Sequence, residues 1–67
     1  MFKYHVQATA NAARIDTFRN ADDAVGFIRE NIAEDKLNGN YDPGYYEILR
    51  VDSVGNETLL DEDGWEK

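Results

Sequence analysis

One segment in the middle of the chain has helical periodicity, and the sequence on either side of it alternates with a period of two. The apolar members of the segment share one helix face: Ala21, Ala24, Val25, Ile28 and Ile32. Asn20 is a good N-cap, with Asp23 three residues later as in a capping box, and Asn38-Gly39 is a stop signal. We therefore predict one helix over residues 21–36.

The alternating segments predict four strands, at residues 2–10, 14–19, 45–51 and 58–61. The resulting order, ββαββ, predicts an α+β two-layer domain with one helix packed on a mainly antiparallel sheet. If both lie in the third strand, Tyr45 and Tyr46 point to opposite faces, so at most one of them lies under the helix. Residues 62–67 form a tail that either extends the last strand or stays flexible.

The chain has 67 residues and no cysteine, so a single small domain must be stable without a disulfide. A chain of this length buries only about 60% of its unfolded surface. This thin core, together with a tyrosine on the open sheet face, favours a homodimer. The absence of cysteine fits a reducing cytoplasm, and we expect a cytoplasmic protein.

No motif in the sequence indicates catalysis. The carboxylates fall in turns, on the polar helix face and in the tail, with only Glu47 inside an apolar run. His5 lies on the polar side of the first strand, which predicts an exposed side chain, and Ser53 lacks the context of a nucleophile. We expect a protein that is not an enzyme and needs no cofactor.

Metal, membrane and nucleic-acid binding are also disfavoured. Asn38, Asn40 and Asp42 alternate like calcium ligands, but Pro43 occupies the position that needs glycine. No apolar run approaches the roughly 18 residues that span a bilayer. A net charge of -7 repels phosphate backbones and anionic lipids, so we expect neither direct nucleic-acid binding nor membrane association.

The net negative charge lies entirely in the C-terminal half. Residues 1–33 hold four acidic and four basic side chains, whereas residues 34–67 hold ten and three, a balance of -7. Aromatic residues that are common at interfaces lie in the same half. We predict a partner-binding surface made of Asp42, Glu47, Asp52, Glu57, Asp61, Glu62, Asp63 and Glu66, with Tyr41, Tyr45 and Trp65 as anchors.

Acidic residues at every second position of a β-strand are separated by about twice the distance between successive phosphates of one DNA strand. Asp61 and Asp63 have that separation in the sequence. In size and charge the chain resembles the small acidic inhibitors of phages and mobile elements, among them anti-CRISPR and anti-restriction proteins. The resemblance implies a nucleic-acid mimic that occupies the basic nucleic-acid-binding surface of a larger protein.

A second hypothesis remains open at this point. In this hypothesis the chain is a small structural or adaptor domain that self-associates through its sheet, and its acidity serves only solubility. Salt distinguishes the two hypotheses, because electrostatic competition weakens steeply with ionic strength and sheet pairing does not.

Overall fold

The computed structural model describes residues 1–67 and confirms the predicted α+β order. The strands are Lys3–Ala8 (β1), Arg14–Phe18 (β2), Tyr46–Val51 (β3) and Glu57–Leu60 (β4), and the helix is Ala21–Leu37 (α1). All neighbouring strands are antiparallel, in the order β2-β1-β3-β4. The first and third strands of the sequence therefore occupy the centre of the sheet.

The helix begins where the sequence predicts it. The Asn20 side chain accepts a hydrogen bond from Asp23 N–H at 2.8 Å, and its amide donates to the Asp23 carboxylate at 2.9 Å. These two bonds satisfy groups that a helix start leaves unpaired. The helix ends one residue later than predicted, and Gly39 follows with a φ of 73°, a conformation that glycine adopts without steric cost.

The helix covers one face of the sheet with a small apolar core. Val6, Ile28, Ile48 and Leu60 are its fully buried large side chains, and only ten residues of the chain are buried in total. Tyr46 also lies in this layer, and its hydroxyl donates to Asp35 at 2.9 Å near the end of the helix. The helix and the sheet therefore each contribute a single layer of side chains to the core, as expected for a two-layer domain of this size.

Two turns with the same sequence pattern, Asp-x-x-Gly, follow β3 and β4. In the first, the Asp52 carboxylate accepts hydrogen bonds from the N–H groups two and four residues later. Asp61 makes the same two bonds in the second turn. Gly55 and Gly64 take φ values of 91° and 88°, which disfavour any residue with a side chain.

The second turn returns residues 62–67 along β4. Leu60 pairs with Glu66, and Lys67 N–H donates to the Leu59 carbonyl at 3.2 Å. The segment that the sequence leaves as a tail thus makes a short hairpin with β4. The repeated Asp-x-x-Gly pattern, nine residues apart, is the sequence signal for it, and the sequence analysis did not use it.

The helix leaves the second face of the sheet without a covering layer, and we call this the uncovered face. Strand alternation and register place these residues on it: Lys3, His5, Gln7, Arg14, Thr17, Glu47, Leu49, Val51, Glu57 and Leu59. The prediction that His5 is exposed is wrong, since its residue exposure is 9%. His5 lies on a central strand, where flanking side chains shield it, and its Nδ1 is hydrogen-bonded to Thr17 Oγ1 at 2.8 Å.

Candidate protein-binding surface

Four of the eleven predicted binding residues meet at one corner of the molecule. The loop after the helix places Tyr41 so that its hydroxyl donates to Glu62 Oε1 at 3.2 Å. Desolvation raises the pKa of Tyr41 above its usual range, and the carboxylates of Glu62, Asp63 and Asp42 raise it further. Glu62 thus contacts the hydroxyl directly, and Asp42 and Asp63 act on it through space. We call these four residues the Tyr41 corner.

A groove of about 420 Å³ lies between the Tyr41 corner and the C-terminal half of the helix. Arg29 and Lys36 line its helix side, and Glu62 and Asp63 line its other side. Glu62 Oε2 is buried there and has no hydrogen-bond partner. No cation lies within ion-pair distance of either carboxylate, and Lys36 Nζ instead sits 5.1 Å from the centre of the Tyr41 ring. Arg29 and Lys36 thus face the two carboxylates across the groove, which holds charges of both signs without a direct ion pair.

Two predicted binding residues, Asp52 and Asp61, serve the two hairpin turns. Backbone hydrogen bonds from Asn56 and Val54 lower the pKa of Asp52 below its usual range. The lone pairs of both carboxylates hold the chain in the turn. Replacing them changes the fold locally as well as the surface charge.

Two further acids of the predicted set are ion-paired within the protein. Glu47 has an exposure of 6% and accepts hydrogen bonds from Lys67 Nζ at 2.8 Å and from the Gln7 amide. The bond from Lys67 and then that from Gln7 lower the pKa of Glu47, against the opposing effect of desolvation. Glu66 lies 3.3 Å from Arg50 on the helix side of the sheet. The Glu47 carboxylate is therefore neutralised within the chain and is not a free charge for a basic partner.

The remaining predicted residues lie apart from one another in the fold. Glu57 is the first residue of β4 and lies on the uncovered face, in register with Val51 of β3. Tyr45 is exposed and meets the Tyr46 ring edge-on at 5.0 Å between centroids. Trp65 follows the second turn and has an exposure of 73%, so its indole is open to solvent. The structure brings the predicted set together only at the Tyr41 corner.

The sequence analysis did not identify Arg29 and Lys36 as groove residues, although their spacing of seven places them on one helix face. It also missed the buried polar groups of the uncovered face. Burial lowers the pKa of His5, and the positive charges of Arg14 and Lys3 lower it further. No local sequence signal distinguishes such a histidine from an exposed one.

Comparison with protein-family models, with curated proteins and with solved structures finds no match to this chain. No three histidine, aspartate or glutamate side chains are arranged to hold a metal ion. The helix is too short and too polar to cross a bilayer.

Proposed function

We propose that this chain is a non-enzymatic acidic protein-binding domain that occupies a basic surface of a larger protein. One observation carries the proposal. Eight of the ten carboxylates in residues 34–67 have no cation within ion-pair distance, because only Glu47 and Glu66 are paired. Exposed charges contribute little to folding, whereas they strongly affect association rate and choice of partner.

The Tyr41 corner is the contact centre in this proposal. It combines three carboxylates with an aromatic ring, and the exposed Trp65 and Tyr45 add apolar area elsewhere on the surface. Binding at the nucleic-acid groove of a larger protein would block that groove by steric and electrostatic competition. An inhibitor of the anti-CRISPR or anti-restriction type acts in this way.

The spacing argument for a phosphate-like repeat is wrong in this structure. Asp61 and Asp63 lie in the turn after β4, where they do not follow strand geometry. The proposal therefore rests on the unpaired negative charge and on the Tyr41 corner. It includes no regular row of carboxylates.

The test is displacement of labelled duplex DNA from a panel of purified basic nucleic-acid-binding proteins, at about 50 and 200 mM salt. We expect displacement from at least one protein, and weaker displacement at the higher salt. The double reversal Asp42→Lys with Asp63→Lys should weaken it by about tenfold or more, since like charges then meet across the contact. Neither side chain holds a turn.

Asp22→Lys with Glu30→Lys is the matched control, because it changes the net charge equally on the exposed helix face. It should leave most of the displacement intact. Equal losses in the two double variants would show that net charge alone matters and that the Tyr41 corner has no special role. Failure to displace DNA from any protein at low salt refutes competition for nucleic-acid sites.

The uncovered face favours a second candidate function, a small structural or adaptor domain that self-associates through its sheet. Leu59 and Val51 lie on that face without a covering layer. In this case acidity serves solubility, and self-association should be insensitive to charge reversal at the Tyr41 corner.

A further inference from the structure

The charge of this protein is divided unequally between its surfaces. The uncovered face holds the cations Lys3 and Arg14 and the anions Glu47 and Glu57. Lys67 adds a third cation, because its Nζ lies against Glu47, so the net charge there is +1. The total is -7, so the remaining surfaces carry -8. Two copies of so acidic a protein repel each other in most orientations. Contact through the uncovered face keeps the negative surfaces furthest apart.

One row across this face is complementary to itself in charge. Lys3 is in register with Val51, which is in register with Glu57, so one row across β1, β3 and β4 reads cation, apolar, anion. The adjacent row reads His5, Leu49, Leu59. A two-fold axis parallel to β3 exchanges the positions of β1 and β4 between two facing copies. It therefore places each Lys3 opposite the partner's Glu57.

We propose that the uncovered face binds a second copy of this chain, in a face-to-face dimer whose two-fold axis runs along β3. Glu47, Leu49 and Val51 lie on this face of β3, so all three meet their own counterparts at the axis, and each Glu47 carboxylate stays paired with Lys67 of its own chain. Leu59 lies over the partner's β1. The Lys3 and Glu57 pairs form on both sides of the axis. Such a dimer is isologous, and the helices and the Tyr41 corners of both copies point outward.

The size of the face sets the expected strength of the dimer. Four strands about 4.8 Å apart and five or six residues long make a patch roughly 20 Å on a side. This is below the roughly 800 Å² per partner of a standard interface, so we expect a weak dimer in exchange with the monomer. The proposal gives the second candidate function a defined interface, and it holds whether or not the acidic surface binds a partner.

Sedimentation equilibrium of the purified chain, without any partner, tests the proposal. We expect the average mass to rise from 7.7 kDa toward twice that value with concentration. Leu59→Glu should raise the dissociation constant by about a hundredfold, because it buries a charge beside the partner's sheet. Leu37→Glu is the control, since Leu37 is even more exposed but lies at the end of the helix, and it should leave dimerisation unchanged.

Charge exchange tests the position of the axis. Lys3→Glu and Glu57→Lys should each weaken the dimer about tenfold, and the double variant should recover most of the loss. At a protein concentration of about 1 mM, a dimer with an association free energy of only about -4 kcal/mol is detectable. A constant mass of 7.7 kDa up to that concentration would overturn the proposal. A dimer that survives Leu59→Glu would pair elsewhere, for instance along the exposed edge of β2, and would overturn it as well.

Discussion

Removing the cation that holds the buried Glu47 carboxylate should destabilise the protein in a manner that depends on pH. Glu47 lies on central strand β3, with a side-chain exposure of 8%, and Lys67 Nζ donates to it at 2.8 Å. Lys67→Met retains the length of the side chain and removes its charge. The carboxylate then keeps only the hydrogen bond from the Gln7 amide.

The size of the loss follows from the environment of the two groups. A hydrogen bond to a charged group contributes about 1.5–3 kcal/mol. The Lys67 side chain is 40% exposed, so solvent screening reduces this contribution. We expect Lys67→Met to lower the free energy of unfolding by about 1–2 kcal/mol at neutral pH, from urea denaturation followed by circular dichroism.

The sign of the pH dependence follows from the pKa of Glu47, which the Lys67 and Gln7 bonds lower in the folded protein. Its stabilising contribution is present above the unfolded pKa near 4.5 and is lost as pH falls through the folded pKa. The difference between wild type and Lys67→Met should therefore shrink toward low pH. An equal difference at pH values well above and well below 4.5 would refute this electrostatic explanation.

The exposed ion pair of the same segment provides the control for this prediction. Glu66→Gln removes the partner of Arg50, and the Glu66 side chain is mostly solvent-exposed. Exposed pairs of this kind contribute about 0–1 kcal/mol, so the variant should be close to wild type. A larger loss from Glu66→Gln than from Lys67→Met would contradict the role assigned to burial.

Two further predictions concern the core and one turn, and urea denaturation measures both. Ile28→Ala should lower the free energy of unfolding by about 2–5 kcal/mol, because it leaves a cavity between helix and sheet. Asn20→Ala should lower it by only ~1 kcal/mol, through loss of the N-cap. Equally mild effects of the two variants would contradict the observed core. Ala12 has a φ of 54° in the turn after β1, so Ala12→Gly should stabilise the protein by about 0.5–1 kcal/mol, while Ala10→Gly, at a residue without positive φ, should not.

The sequence determines the elements of this fold because their signals are local. Asn20 and the stripe that includes Ile28 define the helix within one residue at its end. Period-two alternation identifies the strands. Only Tyr46 of the two neighbouring tyrosines lies in the core, but Tyr45 precedes β3, so strand alternation does not place it. These signals arise from backbone hydrogen bonding and side-chain direction within a few residues.

Local sequence signals determine the candidate site only in part. The sequence identifies Tyr41, Asp42, Glu62 and Asp63 as acidic or aromatic surface residues, but their meeting depends on how the second hairpin lies against the helix. Gly64 lies close to Val25 there, because a Cβ atom added at Gly64 would be only 3.0 Å from Val25 Cγ2. A contact across so many residues has no signature in a single sequence.

Only the tertiary structure decides which polar residues are buried and where the charge is left unpaired. Strands β1 and β3 become central because the sheet order is not the chain order. This buries His5, which alternation places on the polar side of its strand, together with Glu47. Lys67 then reaches Glu47 from the end of the chain. Alternation assigns each residue to one of two faces, but burial depends on the neighbouring strands, and strand pairing is a property of the whole chain.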